Sequence, residues 1–262
     1  MTDADPVVLP DVDPSRPSPA RVYDYLLGGK HNFQKDREVA DAVLQIAPMG
    51  ELAQANRAFL IAAVEELSKR GITQFIDIGS GLPTAQNVHQ VAQRLNPDAR
   101  VLYVDNDPLA VTEGRGLLDG QNTSYIFGDV RDPQGILNDP EMAKLIDLTQ
   151  PAAVLLVGLM HYISDDYDPR GLIRSYMDRM APGSYLVLGA ATDGIAPEVR
   201  ERIDTHFRNP NSLIVWRPFD AVKKFFDGLE LLPPGVVPVE QWATPDAEAG
   251  PWLVAAGVAQ KP

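Results

Sequence analysis

The chain has 262 residues, 36 Asp and Glu against 23 Lys and Arg, a formal charge of −13 and no cysteine. Without cysteine there are no disulfides, thiolate nucleophiles, Cys-ligated zinc sites or iron–sulfur clusters. The acidic surplus argues against a surface made to grip phosphate backbones, and the length suits one large α/β domain with a sizeable core.

Residues 1–19 hold Asp3, Asp5, Asp11 and Asp13 among five prolines. That composition predicts an extended or disordered arm and not a secretory signal. No apolar run approaches the ~20 residues of a membrane span, so a soluble cytoplasmic protein is expected. From Arg21 to Gly71 the pattern is helical. Asn32 is placed to cap a helix with Val39, Val43 and Ile46 on one face, ending before Pro48. A second helix, Glu51 to Arg70, aligns Leu52, Ala55, Phe59, Ala63 and Leu67 and closes with Lys69-Arg70-Gly71.

After Gly71 short apolar runs alternate with helical stretches. The runs are Phe75 to Ile78, Val101 to Val104, Ser124 to Phe127, Ala153 to Val157 and Tyr185 to Leu188, with crossover segments such as Thr84 to Leu95 between them. This alternation predicts a doubly wound parallel sheet. Pro218 then opens a helix carrying Phe219, Val222, Phe225 and Phe226, stopped by Gly228. Leu229 to Val239 and Trp252 to Val258 read as an antiparallel pair of strands at the sheet edge.

The stretch Asp77-Ile78-Gly79-Ser80-Gly81-Leu82-Pro83-Thr84 follows a strand and opens a helix, as a glycine-rich cofactor loop does. Gly79 and Gly81 let the backbone approach a ligand closely. Thr84 stands where a dinucleotide loop has its third glycine. Asp77 would repel a pyrophosphate and suits a ligand presenting a positive group. Asp105 ends the second strand, where a carboxylate can accept both ribose hydroxyls. Asp129, followed by Val130, ends the third, where it can take the amino group of adenine. Each acid alone could be a solvated loop charge. Three at the carboxyl ends of consecutive strands describe the rim where open α/β sheets bind nucleosides.

The strand–Asp-x-Gly-x-Gly, strand–Asp and strand–Gly-Asp series resembles class I S-adenosylmethionine-dependent methyltransferases. The block Ala20-Arg21-Val22-Tyr23-Asp24-Tyr25-Leu26-Leu27-Gly28-Gly29-Lys30 is similar to the N-terminal signature of an actinobacterial family of these enzymes, formerly a domain of unknown function. Gln74 to Thr84, Tyr103 to Pro108 and Phe225 to Leu229 match it too. The resemblance implies a Rossmann-like seven-stranded sheet with an antiparallel last strand, an N-terminal helical extension and S-adenosyl-L-methionine as cofactor. The expected cofactor contacts are Arg21, Tyr23, Gly28, Gly29, Asp77, Gly79, Ser80, Gly81, Asp105, Asn106, Asp129, Val130 and Gly158. The sequence departs from the family at His31, where an acid is expected, at Ser80 for Thr, and at Ile61-Ala62 for basic residues.

Methyl transfer is an in-line displacement that positioning alone can drive, and a base is needed only where the acceptor holds a proton of high pKa. His161, in the loop Gly158 to Tyr162, is the candidate base; its alternative is a structural packing role. Arg21 can clamp the methionine carboxylate and Tyr23 can face the sulfonium, or their helix can simply pack on the body. The four His are scattered, so no metal is expected. Without cysteine or an Asp/Asn-Pro-Pro-aromatic loop, nucleic acid is excluded as substrate. A small-molecule acceptor is expected ahead of a protein, with no membrane partner. The other readings are an S-adenosylmethionine-binding regulator without transfer, and a nicotinamide-dependent oxidoreductase. The second is weakened by the missing third glycine and by the lack of a Tyr followed four residues later by Lys.

Overall fold

The computed structural model describes residues 9–84, 86–117, 122–207, 213–244 and 253–262. Three helices come first: α1 (Pro19–Leu26), α2 (Gln34–Leu44) and α3 (Met49–Lys69). The first turn of α2 is closed by Asp36, whose carboxylate accepts from Phe33 N at 2.8 Å, so Phe33 occupies the cap position expected for Asn32. Asn32 instead donates to Asp24 at 2.8 Å. α3 ends in its cationic turn, and Gly71 takes φ +93° just beyond it.

The alternating part follows as β1 (Gln74–Ile78), α4 (Val88–Leu95), β2 (Arg100–Asp105), α5 (Pro108–Leu117), β3 (Thr123–Phe127), α6 (Pro133–Leu137), α7 (Pro140–Leu145), β4 (Ala153–Val157), α8 (Pro169–Arg179) and β5 (Tyr185–Ala191). α4 begins four residues after Thr84. Asn87 and Gln90 form its capping box, and Asn87 Oδ1 also accepts from Thr84 N at 3.0 Å. The remainder is α9 (Pro197–Asp204), α10 (Phe219–Lys223), β6 (Glu230–Leu231), β7 (Val237–Pro238), α11 (Val239–Ala243) and β8 (Val254–Gln260).

The sheet order is β3-β2-β1-β4-β5-β8-β6, with β7 also on β8. The first five strands are parallel and β8 runs antiparallel to β5. The reversed last strand and the antiparallel pair at the sheet edge are as expected, with β6 outermost and β8 between it and β5. The expected strand Leu229 to Val239 is two dipeptides, because Pro233, Pro234 and Gly235 interrupt the ladder. Trp252, expected at the start of the last strand, lies outside the described residues.

Strand residues alternate between two buried faces. Ile76, Ile78, Leu102 and Val104 pack against Ile173, Tyr176 and Met177 of α8. Phe75, Val101 and Tyr103 pack against Phe59 and Leu67 of α3 and Val91 of α4. Asp77 and Asp105 therefore continue the α3-facing columns to the carboxyl ends of their strands. A third cluster joins Val22, Ala40 and Val43 of the N-terminal helices to Ile203 and Phe207. No helix among the described residues is long and apolar enough to cross a membrane.

Candidate cofactor site

A cavity of about 390 Å³ opens at the carboxyl ends of β1 to β4. It is lined by Asp77, Gly79, Ser80, Gly81, Asp105, Asn106, Asp129, Val130 and Gly158, and by Arg21 and Tyr23 from α1. The sheet order lays the rim out as β3, β2, β1, β4, so Asp129, Asp105 and Asp77 succeed one another along a line ending at Gly158.

The glycine loop is held from beneath. Gly79 N and Ser80 N donate to Val104 O at 2.8 and 3.2 Å, and Gly81 N donates to Asp105 Oδ2 at 2.7 Å. Tyr125 donates to Gly81 O at 2.8 Å and shares a 2.6 Å bond with the Ser80 hydroxyl. Gly79 and Gly81 sit at φ +71° and +68°, and a Cβ on Gly79 would lie 2.8 Å from the Leu159 side chain. These three amides are turned onto β2 and not toward a phosphate.

Asp105 also accepts from Asp107 N at 2.8 Å, yet burial pushes its carboxyl up to about 6. Asp77 is 4% exposed, and burial pushes it to about 7, the Arg57 charge opposing and Asp105 adding. Asp129 behaves differently. Burial alone would raise it, but the Arg131 guanidinium (2.9 and 2.5 Å), Arg131 N and Asn106 Nδ2 (3.1 Å) hold it below the ordinary carboxylate value. Its lone pairs are committed to those donors, and Arg131 in turn lies over the Tyr167 ring at 5.2 Å. Val130 is buried at this end, and its carbonyl accepts from Tyr176 at 2.9 Å.

At the opposite end Gly158 takes φ +76°, and a Cβ there would come 3.0 Å from Asn56 Nδ2. Tyr23 donates to Ala53 O at 2.9 Å and accepts from Asn56 Nδ2 at 3.4 Å. Burial raises the Tyr23 and Tyr162 hydroxyls above the ordinary tyrosine range.

Four of the expected site residues are engaged elsewhere in the structure. Gly28 and Gly29 are not on the cavity wall. They end α1 in a turn around Asp24, whose carboxylate accepts from His31 N and Asn32 Nδ2, and Gly29 leaves that carboxylate its space. Arg21 reaches the wall, but Nε bonds Asp36 at 3.0 Å, Nη1 bonds Asp107 at 3.3 Å, and Nη2 donates to the carbonyls of Asp13 and Arg16. A ligand carboxylate there would compete with two buried acids. His161 is also off the wall. Its Nδ1 lone pair accepts from Ala191 N at 3.4 Å, and burial together with the Arg217 charge lowers its pKa to about 4. In this arrangement His161 fits the structural role weighed for it as the alternative.

Sequence reasoning missed three parts of the site. Residues 11–13 and 16–18 form its outer wall. Asn56 interrupts the apolar stripe of α3 between Leu52 and Phe59, a legible signal. Arg57 beside it also lines the cavity. Among the described residues no acid and histidine cluster could hold a metal.

A family model described as S-adenosyl methyltransferase matches residues 7–262. A candidate methyltransferase from Thermobifida fusca is 42% identical, with TM-score 0.87 over 94% of this chain and 95% of that one. A DUF574 family protein from Streptomyces avermitilis is 35% identical, with TM-score 0.91 over 96% and 100%. An O-methyltransferase family protein from Burkholderia thailandensis, 15% identical with TM-score 0.53 over 87% of this chain and 59% of that one, shares the fold. No curated protein matches. The cavity, its acid rim and these relatives lead to one conclusion: the chain belongs to the S-adenosyl methyltransferase family, with S-adenosylmethionine as its cofactor.

Proposed function

We propose that the protein moves the methyl group of S-adenosylmethionine to a small-molecule acceptor. The observation that supports this reading is a concave site: residues 11–13 and 16–18 and Asn56, Arg57 and Leu60 of α3 line a cavity of about 390 Å³ at the carboxyl ends of the strands, a volume suited to the donor and a small acceptor. The charge of −13 further disfavours nucleic acid.

When bound, S-adenosylmethionine supplies an electrophilic methyl on a sulfonium. Asp105, buried at the end of β2, would accept the ribose hydroxyls; charge-assisted bonds of this kind are worth about 1.5–3 kcal/mol each. Asn106, Asp129 and Val130 would hold the base, with Asp129 acting through the Arg131 and Asn106 bonds it already holds. Gly79, Ser80, Gly81, Gly158 and Tyr23 would complete the wall around the donor. Arg21, Asp36 and Asp107 hold the outer wall. Burial raises the Tyr23 and Tyr162 hydroxyls, so neither is ionised to act as a base at neutral pH.

The test is turnover of methyl-labelled donor in extract of the source organism, separated by ultrafiltration. Label is expected in the low-mass fraction. Label on protein would overturn the acceptor class, and donor binding without any transfer would favour a regulatory S-adenosylmethionine-binding protein.

A further inference from the structure

We propose that Arg217, itself off the cavity wall, is a positioning residue for methyl transfer: it clamps the turn after β4 so that Leu159, Tyr162 and Ile163 present one fixed wall to the acceptor. This rests on reading the cavity as the site of methyl transfer.

Leu159, Tyr162 and Ile163 line the cavity, and Arg217 does not. The three lie in and beside a single 3-10 turn, Met160–Tyr162. Such a turn is short and its own hydrogen bonds are poor, here 3.4 Å from Ile163 N to Met160 O, so its geometry needs support from outside. That support comes from residues 215–217. Val215 N donates to His161 O at 2.7 Å. Arg217 Nη1 donates to Met160 O at 2.9 Å and Nη2 to Ile163 O at 2.6 Å. Nε and Nη2 also reach Asp165 Oδ1 at 3.1 and 2.7 Å. A planar guanidinium can serve several acceptors at once in one orientation, which an ammonium cannot. Arg217 is itself anchored: its carbonyl accepts from Asp193 N at 2.9 Å just past β5, and its guanidinium lies 5.5 Å from the centre of the Phe225 ring.

Stability alone does not account for this charge. Arg217 is 5% exposed, while among the described residues its one carboxylate partner, Asp165, has a side chain 77% exposed. An apolar side chain of similar volume would avoid the desolvation cost of a buried cation. What the guanidinium secures is the place of the turn. Leu159 also fills the space over Gly79, where a Cβ would meet it at 2.8 Å, so a displaced turn would change the cavity where β4 faces the glycine loop. With Asp105 and Asp129 meeting the nucleoside from β2 and β3, the β4 end is left for the reacting end of the donor and for the acceptor. A misplacement of about 1 Å there can cost on the order of 100-fold in rate.

The experiment compares wild type, Arg217→Met and Arg217→Lys in calorimetric titration with S-adenosylhomocysteine and in label transfer from methyl-labelled S-adenosylmethionine in extract of the source organism. Rates are taken at saturating donor and divided by the calorimetric stoichiometry, so that only folded protein counts. Arg217→Met should lose about 10- to 100-fold in transfer rate while S-adenosylhomocysteine affinity stays within about twofold, and Arg217→Lys should recover part of the loss. Amide hydrogen exchange in Arg217→Met should quicken about tenfold across residues 158–165 and not across residues 77–81. Parallel losses of affinity and rate, a rate within about threefold of wild type in both variants, or unchanged exchange across residues 158–165 would overturn the role of Arg217. Should Arg217→Met not fold, Arg217→Lys decides: a lowered rate at unchanged affinity supports the clamp, and an unchanged rate or a parallel decline overturns it. Wild type that binds S-adenosylhomocysteine but transfers no label would remove the methyl-transfer reading, and the clamp with it.

Discussion

Asp77 ionises only at about pH 7 because burial disfavours its charge. Arg57, Asp105, Tyr103 and Tyr125 share its surroundings. Raised above the ordinary aspartate value of 3.8, the group lowers the stability of the free protein as pH climbs from that value through 7. A cationic ligand needs the ionised form, so binding runs the other way. S-adenosylhomocysteine affinity should rise about tenfold from roughly pH 6 to pH 8 and then level, and Asp77→Asn should flatten the curve. A wild-type profile flat from about pH 6 to 8 would refute the role of Asp77. His161 makes the opposite prediction. Off the wall and held neutral, it should tolerate His161→Ala with donor affinity and transfer rate within a few-fold of wild type. A loss of about 100-fold in kcat at unchanged melting temperature would restore it as a base. Asp77 and Asp105 were legible because strand alternation and the carboxyl-end rule depend only on neighbours in sequence. For Arg21 and His161 the sequence left a functional and a structural role open, because their partners lie far along the chain: Asp107 is 86 residues from Arg21, and Ala191 is 30 from His161.

At the level of elements, the N-terminal segment and α1 act together. Ser18 donates to Asp107 and through its amide to Asp36, while Arg21 bonds both acids and the carbonyls of Asp13 and Arg16. Asp36 is fully buried and Asp107 is 7% exposed. Arg21→Met would strand two buried carboxylates, which typically costs 3–5 kcal/mol. Its melting temperature should fall by roughly 6–20 °C, using the scaling for domains of 150–250 residues. Limited proteolysis should begin within residues 9–18 before the rest of the chain is cut. Uniform cleavage, or a melting temperature unchanged from wild type, would show that Arg21 does not latch the segment. Composition concealed this role. An acidic, Pro-rich stretch reads as solvated, and its docking depends on Arg21, Asp36 and Asp107, which no local pattern brings together. Glycine and proline chemistry was similarly decisive at Leu229 to Val239, where apolar content suggested one strand but Pro233-Pro234-Gly235 divided it into β6 and β7.

Across the whole molecule, the parallel order was readable from alternation alone, whereas the insertion of β8 between β5 and β6 depends on pairings spanning tens of residues. The charge of −13 also acts at this scale. S-adenosylmethionine has a net charge of about +1 at neutral pH, its sulfonium adding to a balanced amino-acid end, whereas S-adenosylhomocysteine is close to neutral. The negative field of the protein therefore attracts the donor and leaves the product nearly unaffected. Salt shortens the reach of that field from roughly 20 Å at low ionic strength to about 8 Å at 0.15 M. Donor affinity should fall a few-fold between about 20 and 300 mM salt, while product affinity changes by less than twofold. The contrast separates a field of the whole molecule from the local charges that line the cavity, which both ligands would meet alike. Parallel salt slopes for the two ligands would mean that the surface charge takes no part in selecting the donor.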